Sequence, residues 1–288
     1  MTEIERYIAP SDLSEAARAM AAGGVTILAG GTDLTPQVSD GKRAYQATLM
    51  NIRRIDGLSE ISPAGDEIRI GALATVSQVR RNELIAAAAP VLCEAAGHFA
   101  SEQIRNAATI GGNLCNASPA GDMIIPFLLL DAAVELARWR DGALDVRRVP
   151  LAQFFTGPGK TVMTENDLLT AVVFKKPDAD FVGGFRKSGP RPALEISTVS
   201  VGIGGNYKDG ALSDVRLALG AVGPTPLRAS AAEDALEGKA LTQEVILAAA
   251  EAAQEDACPI DDIRATAWYR RHLVGVFTEE LLQNVCQN

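Results

Sequence analysis

Histidine is almost missing from this 288-residue chain, which carries only His98 and His272. The four cysteines, Cys93, Cys115, Cys258 and Cys286, lie far apart, and none belongs to a Cys-x-x-Cys pair. Zinc and iron–sulfur sites need clustered thiolates or imidazoles, so neither is expected within this chain. An excess of positive charge is also lacking. Lys and Arg total 27 against 36 Asp and Glu, and the net charge of −9 argues against nucleic acid or an anionic membrane as partner. The longest apolar run, Met123 to Leu130, is too short to span a bilayer and contains Pro126. Residues 1–10 carry charges and no apolar core, so no secretory signal is expected and the cytoplasm is the default location.

What is present suits an ordinary globular protein. Hydrophobic residues make up 47% and charged residues 22%, in a chain long enough for two domains. Ser11-Asp12 caps a helical pattern that Gly23-Gly24 ends, and Val25 to Leu28 reads as a short strand. Ala47 to Ile52 is a second β-like run. Leu58 to Ile61 and Glu67 to Ile70 flank the hairpin signal Pro63-Ala64-Gly65-Asp66. Thr75 caps a short helix, and a longer one from Asn82 to Phe99 is expected to break near Pro90. Val134–Trp139 and Ala143–Val149 form a hairpin around Asp141-Gly142, and Leu168 to Phe174 is a further strand. After the polar break at Lys176 to Asp180 come strands near 183–187, 196–207 and 212–221, then helices near 229–237, 242–257 and 261–283.

Two glycine-rich turns carry the chemical signal: Leu28-Ala29-Gly30-Gly31-Thr32-Asp33-Leu34 and Ala108-Thr109-Ile110-Gly111-Gly112-Asn113-Leu114. Paired glycines let the backbone approach a ligand closely and adopt φ > 0, so that successive N–H groups converge on an anion. A tight turn is the ordinary explanation of either pair alone. Neither has the dinucleotide spacing G-x-G-x-x-G or the nucleotide-hydrolase spacing G-x-x-x-x-G-K-[ST]. A nicotinamide dinucleotide held in a βαβ unit is therefore disfavoured, as is nucleotide hydrolysis.

Further segments join these turns: Gln103-Ile104-Arg105-Asn106-Ala107 before the second, Ser118-Pro119-Ala120-Gly121-Asp122, and Phe155-Thr156-Gly157-Pro158-Gly159-Lys160. So do Phe185-x-Lys187-x3-Arg191-x-Ala193-x-Glu195-Ile196-Ser197 and Pro224-Thr225-Pro226-Leu227-Arg228. As a set, covering essentially the whole chain, they resemble the FAD-binding medium subunit of the molybdenum hydroxylases. That family includes xanthine, carbon monoxide and nicotinate dehydrogenases. The Thr-Gly-Pro-Gly-Lys and Pro-Thr-Pro-Leu-Arg segments are most similar to the FAD subunit of bacterial three-subunit xanthine dehydrogenases.

The resemblance implies an α+β fold. A PCMH-type FAD-binding domain would cover residues 1–177 as two α/β subdomains, 1–57 and 58–177. A carbon monoxide dehydrogenase flavoprotein-like C-terminal domain, a three-stranded antiparallel sheet plus a helical bundle, would cover 178–288. FAD would lie between the domains. Thr26, Ile27, Leu28, Ala29, Gly30, Gly31, Thr32 and Asp33, with Ala108, Thr109, Ile110, Gly111, Gly112 and Asn113, would wrap its pyrophosphate and the adjoining ribityl and ribose groups. Asp33, whose charge a pyrophosphate would repel, is expected to point away and brace its turn. Asn113 would bind flavin or backbone. Asp122 would accept hydrogen bonds from a nucleotide hydroxyl or amino group, or else cap the helix that follows. Leu168 and Phe185 would line the nucleotide or flavin, or simply belong to the core. Lys187 would stabilise reduced flavin from its N1–C2=O edge, or stand as a solvated strand lysine. Gln103 and Arg105 would fix their loop or meet another subunit, and Cys115 is expected to be a small buried side chain.

The resemblance also implies partners: a large molybdenum-cofactor subunit and a small subunit with two [2Fe-2S] clusters, in a heterotrimer or its dimer. Electrons would pass from the clusters to FAD and on to NAD. No metal and no catalytic residue are expected in this chain. Two other readings compete. One is a self-contained flavin oxidase of the vanillyl-alcohol-oxidase-like class, against which the scarcity of His and Tyr weighs. The other is a scaffold that has lost FAD, against which the two intact glycine turns weigh.

Overall fold

The structure, a computed structural model, describes residues 4–189 and 196–286. Arg191, Ala193 and Glu195 of the Phe185-to-Ser197 motif lie outside the described residues. Three units follow one another along the chain. The first contains β1 (Arg6–Ile8), α1 (Leu13–Ala21), β2 (Val25–Leu28), α2 (Leu34–Ser39) and β3 (Thr48–Asn51). Its sheet is parallel, in the order β1-β3-β2, so the first glycine turn leaves the carboxyl end of a parallel strand. Asp12 caps α1 by accepting from the Glu15 N–H, and Ala16, Ala17 and Met20 supply the buried stripe at helical spacing.

The second unit opens with β4 (Ile61–Ala64) and β5 (Glu67–Gly71), then six helices. These are α3 (Val76–Arg81), α4 (Glu83–Ala88), α5 (Pro90–His98), α6 (Glu102–Arg105), α7 (Ile110–Asn116) and α8 (Ile124–Leu129). β6 (Ala133–Arg140), β7 (Ala143–Pro150), β8 (Phe155–Gly157), β9 (Lys160–Thr161) and β10 (Leu168–Lys175) complete it. The five-stranded sheet β4-β5-β10-β6-β7 is antiparallel throughout. The helix expected over 82–99 is two helices. The break falls at Ala89 (φ −147°, ψ 65°), where Pro90 bars its predecessor from helical geometry and then serves as a first helical residue.

The third unit contains β11 (Phe181–Ser188), β12 (Val199–Lys208), β13 (Ala211–Gly220), β14 (Leu227–Arg228), α9 (Ser230–Leu236), α10 (Gln243–Asp256) and α11 (Ala267–Val285). Its antiparallel sheet has a fourth strand beyond the three expected, the two-residue β14. A pair that short has no alternation to read. α11 begins later than the expected 261, because Asp262 accepts from the Arg264 and Ala265 N–H groups in a turn and Thr266 is the cap.

Strand β12 reads Val-Ser-Val-Gly-Ile-Gly-Gly, and its two faces meet different partners. Val199, Val201 and Ile203 bury against the helices of the third unit. On the opposite face Gly202 and Gly204, with Gly220 of β13, seat helix α8. A Cβ on Gly202 would meet Ile125 at 2.7 Å, and one on Gly220 would meet it at 3.0 Å. The second and third units therefore join through a glycine-paved face.

Candidate FAD site

The two glycine segments are in contact. A Cβ on Gly30 would stand 2.2 Å from the Ala107 carbonyl oxygen, so only glycine permits this approach. A second tie spans the helices behind them. The Gln37 side-chain amide donates to Asp33 and, at 3.1 Å, to Oδ1 of Asn116 on α7. Asp33 thus spends its carboxylate bracing its own turn.

Each segment does a different job. After the first, the N–H groups of Gly30, Gly31, Thr32 and Asp33 have no acceptor among the described residues. Gly31 sits at φ +75°, in the left-handed region that turns successive N–H groups toward a common concavity. The second segment is no turn but the first turn of α7. Thr109 is its cap and accepts from the Gly112 N–H at 3.1 Å. The Ile110 and Gly111 N–H groups donate to Ala74 and Ala72, and that of Asn113 to Thr109. Neither Gly111 nor Gly112 has positive φ. Gly111 is required by space, since its Cβ would lie 2.7 Å from that of Ala72. N–H groups without acceptors, expected from both segments, are thus found among the described residues in the first, while the second supplies a packed wall. One polar atom of that wall lacks a partner: Asn113 Oδ1 is buried and accepts nothing.

Other expected residues fall into two groups. Thr26 is buried with its hydroxyl accepting from the Gln46 N–H, and Ile110, Leu168 and Phe185 are enclosed in hydrophobic clusters. Phe185 lies against the His98 ring, and its N–H donates to the Glu94 carboxylate at 3.0 Å. For these four residues only backbone atoms remain for any ligand. Asp122 and Lys187 form the second group. Asp122 does not cap α8, whose cap residue is Met123 with no side-chain bond. It accepts instead from Lys187 Nζ at 2.6 Å and from the Ser197 hydroxyl. Both ion-pair side chains are only 7% exposed, so Lys187 is not a solvated strand residue. Burial pushes the Asp122 carboxyl up from the usual range, against the pull of Lys187 and Ser197. Ser200, opposite Lys187 in the β11–β12 register, adds a buried hydroxyl without a partner.

Arg105 fixes its loop by donating to the Phe99 and Ala100 carbonyls, and Gln103 is exposed. Cys115, expected to be buried, is an exposed residue whose sulfur lies 3.7 Å from that of Met163, while burial of the thiol itself pushes its pKa up to about 12. The Gly157-to-Lys160 hairpin reaches α7 through a bond from the Gly159 N–H to Ala117. A polar depression of about 580 Å³ lined by Ser59, Thr75, Ser77, Gln78, Arg81 and Asn106 contains none of the expected contact residues. Among the described residues no His, Cys, Asp and Glu group forms a metal site, and no helix is long and apolar enough to cross a membrane. Two contributors were not legible in sequence. Gln37 links α2 to α7, and Arg53 donates to the Ala29 and Gly30 carbonyls at 2.7 and 3.0 Å. For Arg53 the signal lies in the strand order, which brings the end of β3 beside the end of β2.

Unpaired N–H groups beside a left-handed glycine, and an unsatisfied buried amide oxygen on the helix that opens from the adjoining segment, fit a polar, anionic cofactor such as FAD. Known proteins agree. The FAD binding domain of molybdopterin dehydrogenases matches residues 2–176, and the CO dehydrogenase flavoprotein C-terminal domain matches 185–285. The xanthine dehydrogenase FAD-binding subunit of Escherichia coli O157:H7 is 33% identical over 89% of this chain and 87% of its own. The nicotinate dehydrogenase FAD-subunit of Eubacterium barkeri is 32% identical, over 87% and 85%. A chain of the solved carbon monoxide dehydrogenase from Hydrogenophaga pseudoflava, which lacks the Mo-pyranopterin moiety of its molybdenum cofactor, superposes with a TM-score of 0.92 at 30% identity. That match covers 98% of this chain and 97% of the other. With both domain families matched in order along nearly its whole length, this chain belongs to the FAD-binding medium subunits of the molybdenum hydroxylases, as an oxidoreductase subunit.

Proposed function

We propose that this chain holds FAD as the electron-transfer subunit of a xanthine dehydrogenase-like molybdenum hydroxylase, between [2Fe-2S] clusters and NAD. The observation that carries the reading is the run of unpaired N–H groups from Gly30 to Asp33, set against the wall of α7 by the Gly30–Ala107 contact. In this reading those N–H groups hold the pyrophosphate, with backbone dipoles offsetting its charge in place of a dedicated lysine. Asn113 Oδ1 accepts from a sugar or ribityl hydroxyl. The Asp122–Lys187 pair and Ser200 offer polar atoms at the junction of the second and third units, where Lys187 keeps a positive charge next to the cofactor. The backbones at Leu168 and Phe185 flank it. Bound FAD would supply the exchange between single electrons from the clusters and the hydride taken by NAD.

Substrate oxidation in this reading occurs at the molybdenum cofactor of a large subunit, with the clusters in a small one, in a cytoplasmic heterotrimer or its dimer. Exposed Ile260, Ile263, Trp268 and Val276 give the third unit apolar surface of the kind that subunit contacts cover. The test is to purify the chain, record its flavin absorbance, and add NADH, an alcohol or a purine under anaerobic conditions. Reduction by NADH alone is the expected result. Reduction by an alcohol would favour a self-contained oxidase, and a chain that takes up no flavin would overturn the reading.

A further inference from the structure

We infer that Arg53 is the positioning residue that sets which way the first glycine turn faces. The inference rests on the reading of that turn as the pyrophosphate cradle. Arg53 follows β3 and is exposed, with no carboxylate partner among the described residues. Its guanidinium spends two donors on backbone instead: Nε donates to the Ala29 carbonyl at 2.7 Å and Nη2 to the Gly30 carbonyl at 3.0 Å. Its own N–H donates at 3.0 Å to Asn51 Oδ1, and the Asn51 amide donates at 2.9 Å to the Tyr7 hydroxyl. The fork is thereby anchored to all three strands of the first sheet, because Tyr7 lies on β1, Asn51 on β3 and Ala29 directly follows β2.

Peptide geometry turns this anchor into a directional device. In a trans peptide the C=O of one residue and the N–H of the next point to opposite sides of the chain. The Ala29 carbonyl shares its peptide with the Gly30 N–H, and the Gly30 carbonyl shares its peptide with the Gly31 N–H. Pulling both carbonyls onto Arg53 drives both N–H groups to the far face, where they stand without acceptors. Glycine needs such a restraint, since without a Cβ its peptides rotate at little cost and either orientation is accessible. A planar guanidinium suits the task because its Nε and Nη2 donors form a rigid, nearly parallel fork that meets two adjacent carbonyls together. The cation also sits behind the turn, where its charge adds to the field on an anion in front.

The test uses the full chain, freed of flavin and titrated with FAD, with Arg53→Met and Arg53→Lys beside the unaltered protein. Fluorescence quenching gives Kd, thermal melting of the flavin-free chain gives stability, and ³¹P NMR at saturating FAD reports the pyrophosphate surroundings. Arg53→Met should raise Kd about tenfold or more, the order expected for losing charge-assisted bonds that hold the donors in place. It should also move the pyrophosphate resonances, while the flavin-free melt shifts by no more than about 2 °C, as suits an exposed site. Arg53→Lys keeps the charge without the fork and should fall between the two, which also serves if the methionine variant folds poorly. A lysine variant matching the unaltered protein in Kd and in ³¹P spectrum would overturn the inference, as would a methionine variant that does so. Failure of the unaltered chain to bind FAD is a different result and removes the functional reading on which the inference rests.

Discussion

Gly30 and Ala107 touch through backbone alone, a glycine Cα of the first unit lying under a carbonyl of the second. Gly30→Ala puts a methyl 2.2 Å from a backbone oxygen that has no rotamer to yield, so the two segments must part. We predict a loss of about 1–3 kcal/mol of stability, the usual cost of overpacking. FAD affinity should fall with it. Gly31→Ala tests a different property, because its Cβ would press only on the flexible end of Leu28, at 3.3 Å, which a small shift relieves, while the backbone stays at φ +75°. That change should cost about 1–2 kcal/mol through the left-handed conformation. Urea melts and flavin titrations of both variants measure the pair.

Asn113 presents a buried oxygen with no protein partner, so removing it deletes no bond from the flavin-free fold. Asn113→Ala should leave the flavin-free melting temperature unchanged or higher. It should weaken FAD binding by about 1 kcal/mol, near fivefold in Kd, the net worth of one hydrogen bond. A stability loss without an affinity loss would show that the oxygen serves only the fold.

Asp122 gives stability a pH dependence of definite sign. Burial pushes its carboxyl up, so the folded chain holds that proton more tightly than the unfolded one. Its contribution is present below the ordinary carboxylate pKa and is lost as pH rises through the raised value. Stability measured by urea melts from about pH 4 to 7 should therefore fall in the unaltered protein relative to Asp122→Asn as pH rises, ordinary aspartate titrating near 3.9. The opposite trend would mean that Lys187 outweighs burial.

Lys187 and Asp122 also test each other. With both side chains nearly buried, Lys187→Met leaves an uncompensated carboxylate and should cost about 3–5 kcal/mol. Adding Asp122→Asn should recover most of that loss, and the pair should couple in a double-mutant cycle. In flavin-loaded protein Lys187→Met should also lower the reduction potential, measured by dye equilibration, since a cation favours the anionic reduced form.

Local chemistry made much of this fold legible. The β6–β7 hairpin announces itself through Asp141-Gly142, both of which take positive φ, and Thr75 forms the full capping box with Gln78. The glycine segments stood out in the sequence as a candidate site, but their different hydrogen-bonding roles did not. Whether a glycine serves φ or space depends on what packs above it, and for Gly111 that is Ala72, in the turn after β5 and far away in sequence. The pairing of Asp122 with Lys187, and the reach of Arg53 to the first turn, depend on tertiary placement that no local pattern encodes. Phe185 looked the same whether it faced a ligand or the core, because apolar periodicity marks burial without naming what does the burying.

The glycine-paved contact between β12, β13 and α8 bears on how such chains diverge. Where side chains fill a junction, drift on one side is absorbed by repacking on the other. Here helix side chains rest largely on backbone, with Ser200 and Phe181 the sheet side chains close to those glycines, so the sheet offers little to adjust. Ile125 and Leu129 are consequently bound in inheritance to Gly202, Gly204 and Gly220. A chimera that takes its third unit from a relative should inherit α8 from the same parent, although the sequence assigns that helix to the preceding domain.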